Sequence, residues 1–268
     1  MTRPRTLRPL AVFLALLTAA ICVLAGWSAP AGAASLSETI KLVKRSVVGV
    51  GTFHEIRRPP TRLLGTGFVV GDGSLVVTNH HVVDLRMARN GKEYHAILVG
   101  TGKTAEIRRV EVIASDPAHD VAILRQTGAP LPALPIGDDA KVAEGQEIAF
   151  TGFPIGAVLG LYPVSHRGII SARTPIAIPP VKPKHLDPTM IKRLRRPFTV
   201  FQLDATAYPG NSGSPLYDPE TGEVYGIISS VFVKETKEKV LSDPSGITFA
   251  VPIAYARALL EKLGPATK

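Results

Sequence analysis

The chain has 268 residues, 45% of them hydrophobic and 20% charged, and this length allows one large domain or two small ones with a buried core. Its single cysteine, Cys22, lies in an apolar run near the N-terminus, which excludes a fold held together by disulfides. The formal net charge is +9, but residues 173–197 hold seven basic residues and one acidic residue, so we expect no nucleic-acid-binding surface spread over the fold.

The first residues have the order of an export signal. Three arginines precede an apolar run from Leu10 to Trp27, and small residues follow, with Ala31–Ala33 or Gly32–Ala34 as the cleavage site. An uncleaved membrane anchor is the alternative, since the run approaches spanning length. A retained anchor has no need of the small-residue pattern. We therefore expect residues 1–33 to be a signal peptide and the mature protein to be exported, either periplasmic or extracellular.

A short helix and then a long series of strands follow the signal. Ser37 is the predicted N-cap of the helix, whose apolar side carries Ile40, Leu42 and Val43. Short Val, Ile and Leu runs bounded by Gly, Asp, Asn or Pro occur over residues 46–126, and a second set of such runs occurs over residues 146–253. Two groups of about six short strands predict paired antiparallel barrels or sandwiches.

These groups set the predicted domain bounds. The N-terminal barrel takes residues 34–135, and the C-terminal barrel takes residues 136–268. The second barrel contains the basic insert, residues 173–197, and ends in a docking helix between Pro252 and Gly264. Within the insert, the Asp187-Pro188 pair favours the start of a short amphipathic helix.

The stretch PGNSGSP sets Ser212 among turn-forming residues. A serine hydroxyl becomes a useful nucleophile only when a base removes its proton and hydrogen-bond donors meet the developing oxyanion. Gly210 and Gly213 permit backbone conformations that turn successive N–H groups toward one point. The same pattern suits an ordinary hairpin turn, so the motif alone leaves both interpretations open.

A nucleophilic serine would need a base and a carboxylate to orient that base. His81 lies in SLVVTNHHVVD, where a strand ends and a turn begins, and only one of His80 and His81 can face the serine. Asp120 opens the apolar strand DVAILR, although it and Asp116 both also suit a turn. The remaining histidines are interpreted as solvated or packed: His54, His95, His119, His166 and His185.

The motifs TNHHVV, HDVAIL and GNSGSPL, in that order, resemble the chymotrypsin-fold (trypsin-like) serine peptidases, most closely the HtrA/Deg type without a PDZ domain. The resemblance extends from Leu36 to Leu263 and implies an all-β fold of two six-stranded antiparallel β-barrels with short N-terminal and C-terminal helices. It implies that His81 is the general base, Asp120 the acid that orients it and Ser212 the nucleophile. The N–H groups of Gly210 and Ser212 would form the oxyanion hole.

The resemblance also implies the reaction, which is hydrolysis of peptide bonds in polypeptide substrates through an acyl-enzyme, with no metal or organic cofactor. The alternative is a catalytically silent binding or chaperone protein with the same fold. The chain ends soon after its last helix, so we expect no PDZ domain. The sequence does not define an oligomeric state.

Two positions bear on specificity. Thr206 lies six residues before Ser212, where tryptic specificity would need an acid, and Ile228 lies where glutamate-specific relatives have a histidine. Ser214 also departs from the glycine that is usual in the HtrA group. We predict a preference for small or medium aliphatic side chains, with a pocket formed by Thr206, Ile228, Ser229, Ser230 and Val231.

The positive charge of residues 182–196 suggests a second partner. We expect this part of the insert to bind an anionic membrane surface or an acidic polypeptide and to order the site on binding. A solvated loop without a partner is the alternative.

Overall fold

The computed structural model describes residues 35–85, 92–154, 160–175, 198–229 and 247–264. Residues 35–268 belong to one compact unit. The expected signal peptide and most of the basic insert, including its short helix, lie outside the described residues.

The compact unit opens with helix α1 (Leu36–Lys44), whose N-cap is Ser35. The predicted N-cap, Ser37, is wrong because Ser35 and Glu38 form a capping box: the Glu38 N–H donates to the Ser35 hydroxyl, and the Ser35 N–H donates to the Glu38 carboxylate at 3.1 Å. The box satisfies two N–H groups that the first helical turn leaves without a partner. Ser37 instead lies within the helix.

The first six strands close into a barrel. They are β1 (Val47–His54), β2 (Thr61–Val70), β3 (Leu75–Thr78), β4 (Glu93–Val99), β5 (Glu106–Asp116) and β6 (Val121–Gln126). Their order around the barrel is β1-β2-β3-β6-β5-β4, and every pairing is antiparallel. A short helical turn, α2 (His80–Val83), follows β3.

The next six strands form a second closed barrel. They are β7 (Glu147–Gly152), β8 (Val164–Pro175), β9 (Thr199–Asp204), β10 (Pro215–Tyr217), β11 (Val224–Ser229) and β12 (Ile247–Pro252). Going round from β7, the order is β7-β8-β9-β12-β11-β10, which is the order of the first barrel shifted by six strands. Helix α3 (Ala254–Lys262) follows. The prediction of two six-stranded antiparallel barrels with short helices near both ends is confirmed.

Apolar side chains fill both barrels and the space between them. One cluster lies in the first barrel and includes Val48, Val50, Val76, Ile97 and Leu124. Another lies in the second barrel and includes Ile148, Phe150, Ile170, Phe201 and Ile228. A third joins the two barrels and α3 through Phe68, Phe153, Tyr217, Ile253 and Leu260. Each fully buried side chain of this kind contributes about 1.5–3 kcal/mol, so packing alone can hold a fold that lacks disulfides.

Among the described residues, no helix has the length and apolar character needed to cross a membrane.

Candidate active site

Strand pairing brings His81 and Asp120 together. β3 and β6 are antiparallel neighbours with Thr78 opposite Ala122, so the end of β3 lies beside the beginning of β6. His81 follows β3 in α2, and Asp120 comes directly before β6. Thirty-eight residues separate the two in sequence, and strands β4 and β5 lie within that interval.

The contact between these residues orients the imidazole. His81 Nδ1 lies 2.8 Å from Asp120 Oδ2 and 3.0 Å from Oδ1, and the His81 backbone N–H donates to Oδ1 at 3.0 Å. An ionised carboxylate only accepts hydrogen bonds, so Nδ1 is the protonated ring nitrogen. In the neutral ring, Nε2 then carries the lone pair and can accept a proton. The His81 side chain is 30% exposed, which leaves the ring accessible.

Asp120 is held from several directions. It is only 2% exposed, and its Oδ2 accepts a hydrogen bond from the Ser229 hydroxyl at 2.8 Å. Its backbone carbonyl accepts from Asn79 Nδ2 at 3.0 Å. A buried carboxylate is costly unless donors surround it, and Ser229 and His81 supply those donors. Its φ of 59° lies in the left-handed region, which Asp adopts more readily than most residues.

The loop between β9 and β10 carries Ser212, the predicted nucleophile, and is called the nucleophile loop below. Gly210 and Gly213 have φ of 103° and 89°, and a Cβ at Gly213 would collide with the Thr66 carbonyl oxygen. Only glycine suits that position. The Gly213 N–H donates to the Ile228 carbonyl at 2.8 Å, which ties the loop to the end of β11.

Thr66 of β2 links the first barrel to this loop. Its N–H donates to the Ser212 carbonyl at 2.8 Å, and its hydroxyl donates to the Gly210 carbonyl at 2.8 Å. The same hydroxyl accepts from the Phe153 N–H at 3.0 Å. Sequence reasoning missed Thr66 because it lies in an ordinary strand, GTGFVV, without a motif that singles out its hydroxyl.

Thr248 of β12 was missed for the same reason. Its buried hydroxyl donates to the Ala205 carbonyl at 2.6 Å and accepts from the Ala207 N–H at 2.9 Å. Those two residues flank Thr206 at the start of the segment that leads to the nucleophile loop. Thr248 therefore fixes the backbone on both sides of Thr206.

The predicted pocket residues occupy different settings. Thr206 is half-buried, Ile228 is fully buried in the core of the second barrel, and the Ser229 hydroxyl bonds to Asp120. Ser230 and Val231 lie outside the described residues. The assignment of all five residues to a pocket stays a prediction.

The other described histidines have structural partners or lie packed. His80 Nε2 lies 3.6 Å from Asp84, and His119 Nδ1 lies 2.6 Å from Asp116. Burial lowers the pKa of His95, although Glu93 opposes this shift, and burial also lowers the pKa of His166. No group of three or more His, Cys, Asp or Glu side chains suited to a metal ion occurs in the described part of the chain.

Comparison with known proteins points to one family. The model of the trypsin-like peptidase domain matches residues 65–227. A probable periplasmic serine endoprotease, DegP-like, of Halomonas elongata is 32% identical over 205 residues, covering 75% of this chain and 35% of that protein. The mitochondrial serine protease HTRA2 of Bos taurus is 34% identical over 200 residues, covering 74% of this chain and 36% of that protein. The chain thus spans about a third of the length of these relatives.

A solved structure gives the same indication. The crystal structure of the serine endoprotease from Yersinia pestis superposes with a TM-score of 0.60 at 26% identity, covering 85% of this chain and 66% of that one.

Proposed function

The chain belongs to the trypsin-like peptidase family and is of its HtrA/DegP type, and we propose on this premise that it is an exported serine endopeptidase that uses His81, Asp120 and Ser212. The observation that carries the proposal is the contact of 2.8 Å between His81 Nδ1 and the buried Asp120 carboxylate. A histidine held in this way presents Nε2 as a base.

In the proposed reaction, His81 Nε2 removes the proton of the Ser212 hydroxyl as its oxygen attacks the carbonyl carbon of the scissile peptide bond. Asp120 holds the Nδ1–H tautomer and stabilises the imidazolium that forms. The N–H groups of Gly210 and Ser212 receive the negative charge of the tetrahedral intermediate. His81 then gives its proton to the leaving amine, and an acyl-enzyme on Ser212 remains.

Hydrolysis of the acyl-enzyme repeats these steps with water. His81 takes a proton from the water molecule, the hydroxide attacks the ester carbon, and the proton returns to the Ser212 oxygen as the acid product leaves. The His81 imidazole thus accepts and returns each transferred proton, and none of the proposed steps uses a metal or an organic cofactor.

The support for the oxyanion hole is the shape of the loop. Gly210 has a φ of 103°, which a residue with a side chain adopts rarely, and its carbonyl is turned toward the Thr66 hydroxyl. This carbonyl belongs to the peptide between the two proposed donors, the N–H groups of Gly210 and Ser212, so its bond to Thr66 fixes the backbone between them. Thr66 would therefore set the orientation of these donors.

Labelling with a fluorophosphonate probe tests the activity. The wild-type protein is expected to be labelled, and Ser212→Ala to show no labelling while keeping the wild-type circular dichroism spectrum. Ser165→Ala is the matched control, because it removes a hydroxyl that lies 2.8 Å from the Thr151 hydroxyl within the second barrel. Folded wild-type protein that is not labelled would favour the second candidate, a catalytically silent binding or chaperone protein of the same fold.

The proposed specificity is for small or medium aliphatic side chains on the acyl side of the cleaved bond. Thr206 supplies no negative charge for Lys or Arg, and Ile228 supplies no donor for Glu. A peptide-library profile dominated by Arg, Lys or Glu would contradict this specificity.

The proposed location rests on the N-terminal sequence and on relatives that are named periplasmic. Sequencing the N-terminus of the exported protein tests it, and a first residue at or next to position 34 is the expected result. A protein that keeps its first 33 residues in the membrane fraction would support the anchor instead.

The basic residues 182–196 are proposed to bind an anionic membrane surface or an acidic polypeptide. Replacing Lys192, Arg193, Arg195 and Arg196 by Gln is expected to abolish any stimulation of activity by anionic vesicles or by polyglutamate. Equal activity of the wild-type and substituted proteins, with and without either additive, would contradict the proposal.

A further inference from the structure

The backbone at Asp120 needs support. Among the described residues, Asp120 is the only one other than glycine with a positive φ. It ends the four-residue turn that joins β5 to β6, and its side chain contacts both His81 and Ser229. The torsion φ of Asp120 is defined in part by the carbonyl carbon of His119. The conformation of His119 is therefore coupled directly to the direction in which the Asp120 carboxylate points.

His119 is held to the beginning of the same turn. Its Nδ1 lies 2.6 Å from Asp116 Oδ2, and because a carboxylate only accepts, Nδ1–H is the donor. Asp116 Oδ1 accepts from the backbone N–H groups of Ala118 at 3.0 Å and His119 at 3.3 Å. The Asp116 carboxylate thus closes the turn through three donors. Burial raises the pKa of Asp116, but the contacts with His119 and these N–H groups outweigh it and lower the pKa overall.

The His119 ring is also held from the second half of the chain. It stacks on Tyr255 of α3 with ring centroids 3.9 Å apart and planes 15° apart, and it packs in a T-shaped arrangement with the Phe198 ring, with centroids 4.9 Å apart. Phe198 directly precedes β9 and is 7% exposed. A turn of the first barrel is therefore clamped against α3 and the beginning of β9. Aromatic pairs of this geometry add specific stabilisation beyond the area that they bury.

We propose that His119 is a positioning residue for the peptidase reaction: its contact with Asp116 and its stacking on Tyr255 fix the turn that presents the Asp120 carboxylate to His81. His119 touches no reacting atom in this scheme. It acts through the backbone of the next residue, and its loss allows Asp120 to relax from the left-handed conformation toward an extended one. The inference rests on the proposed function, because it assigns a role within that reaction.

Three variants separate the two contacts. His119→Phe keeps the stacking and loses the Nδ1–H donor. His119→Asn keeps a donor for Asp116 and loses the stacking, and His119→Ala loses both. We expect His119→Ala to lower kcat by roughly tenfold to a hundredfold, the size of effect that a displaced catalytic group produces, with KM within about twofold. His119→Phe and His119→Asn are expected to recover part of that loss. His54→Ala is the control, since His54 ends β1 and its Nδ1 accepts from the N–H of Ile56, two residues further along the chain, at 3.2 Å.

A spectroscopic readout separates positioning from stability. In the folded protein, the proton on His81 Nδ1 gives a far-downfield NMR signal when it is hydrogen-bonded to Asp120. All spectra and rates are taken well below the melting temperature of each variant. The expected result is a shifted or broadened signal in His119→Ala and a wild-type signal in His54→Ala. A His119→Ala protein with lower thermal stability but wild-type kcat and a wild-type signal would overturn the proposal and leave His119 a structural residue.

These measurements distinguish a failure of the positioning role of His119 from a failure of the proposed peptidase function. Wild-type protein labelled by fluorophosphonate at Ser212, together with unchanged His119 variants, would overturn only the positioning role. Wild-type protein that is folded but not labelled would overturn the proposed function. The His81 signal still decides the geometry in that case: a signal that changes in His119→Ala supports the clamp, and one that does not change refutes it.

Discussion

Ser229→Ala tests how the buried carboxylate is supported. Ser229 is fully buried, Asp120 is 2% exposed, and their hydrogen bond measures 2.8 Å, so bulk water cannot replace the lost donor. Hydrogen bonds to charged groups contribute about 1.5–3 kcal/mol to stability. For a unit of this size, each kcal/mol shifts the melting temperature by about 2–4 °C, which gives an expected decrease of roughly 3–12 °C. Differential scanning calorimetry measures this decrease directly.

The same substitution is expected to reduce activity. Asp120 Oδ2 would keep only its contact with His81 Nδ1, so the carboxylate could rotate and the imidazole would be less firmly oriented. A loss of about 1.4 kcal/mol in transition-state stabilisation corresponds to a tenfold decrease in kcat/KM, which is the magnitude that we expect. The assay is hydrolysis of a fluorogenic peptide, with the rate of fluorophosphonate labelling as a second measure.

Ser165→Ala is the matched control for Ser229→Ala. Its hydroxyl lies 2.8 Å from that of Thr151, so it loses a bond between neutral groups, worth about 0.5–1.5 kcal/mol, and its kcat/KM is expected to equal that of the wild type. A Ser229→Ala protein that matches the wild type in both melting temperature and kcat/KM would refute a supporting role for the Ser229 hydroxyl.

Three further substitutions test other parts of the site. Gly152→Ala is expected to destabilise the fold, because the added Cβ would collide with the Ser214 hydroxyl. Adding Ser214→Gly should recover part of the lost free energy of unfolding, measured by urea titration. Additive effects of the two substitutions would contradict this pairing. Thr66→Val removes the hydroxyl bonded to the nucleophile loop and should lower kcat more than it raises KM; an unchanged kcat would contradict it. Burial lowers the pKa of His166, so as the pH falls below about 6.5 the unfolded state binds a proton before the folded state does, and the free energy of unfolding decreases. His166→Phe should therefore show a smaller decrease in melting temperature from pH 7 to pH 5 than the control His54→Gln. Equal decreases in the two variants would refute the assignment of this pH dependence to His166.

The barrels could be predicted from local patterns. Short Val and Ile runs ended by Gly, Asp and Pro mark most of the strands, since these residues favour or interrupt the pleated backbone. The start of α1 was misplaced by two residues, although the sequence contains the signal that decides it. Ser35 is followed three residues later by Glu38, which completes a capping box, whereas the third residue after Ser37 is Ile40.

The support of the site could not be predicted in the same way. The motif around Asp120 is visible in the sequence, but its contact with Ser229 depends on how the two barrels meet. The residues of β11 are nearly all buried, so the strand shows no alternation that would indicate which side chains face a cleft. The sequence predicts a place in the pocket wall for Ser229 and gives no sign that its hydroxyl also donates to a carboxylate of the other barrel.

The division of the site between the barrels explains why these supporting contacts matter. The first barrel supplies the His81 and Asp120 pair, and the second supplies the loop that carries Ser212. Two of the bonds between the halves are those of Thr66 with the nucleophile loop and of Ser229 with Asp120, and both involve buried groups. Buried hydrogen bonds are directional and costly to break, so they fix the relative position of the halves more narrowly than apolar packing alone. It follows that a substitution that loosens the junction should impair the alignment of His81 with Ser212, the proposed base and nucleophile, before it unfolds either barrel.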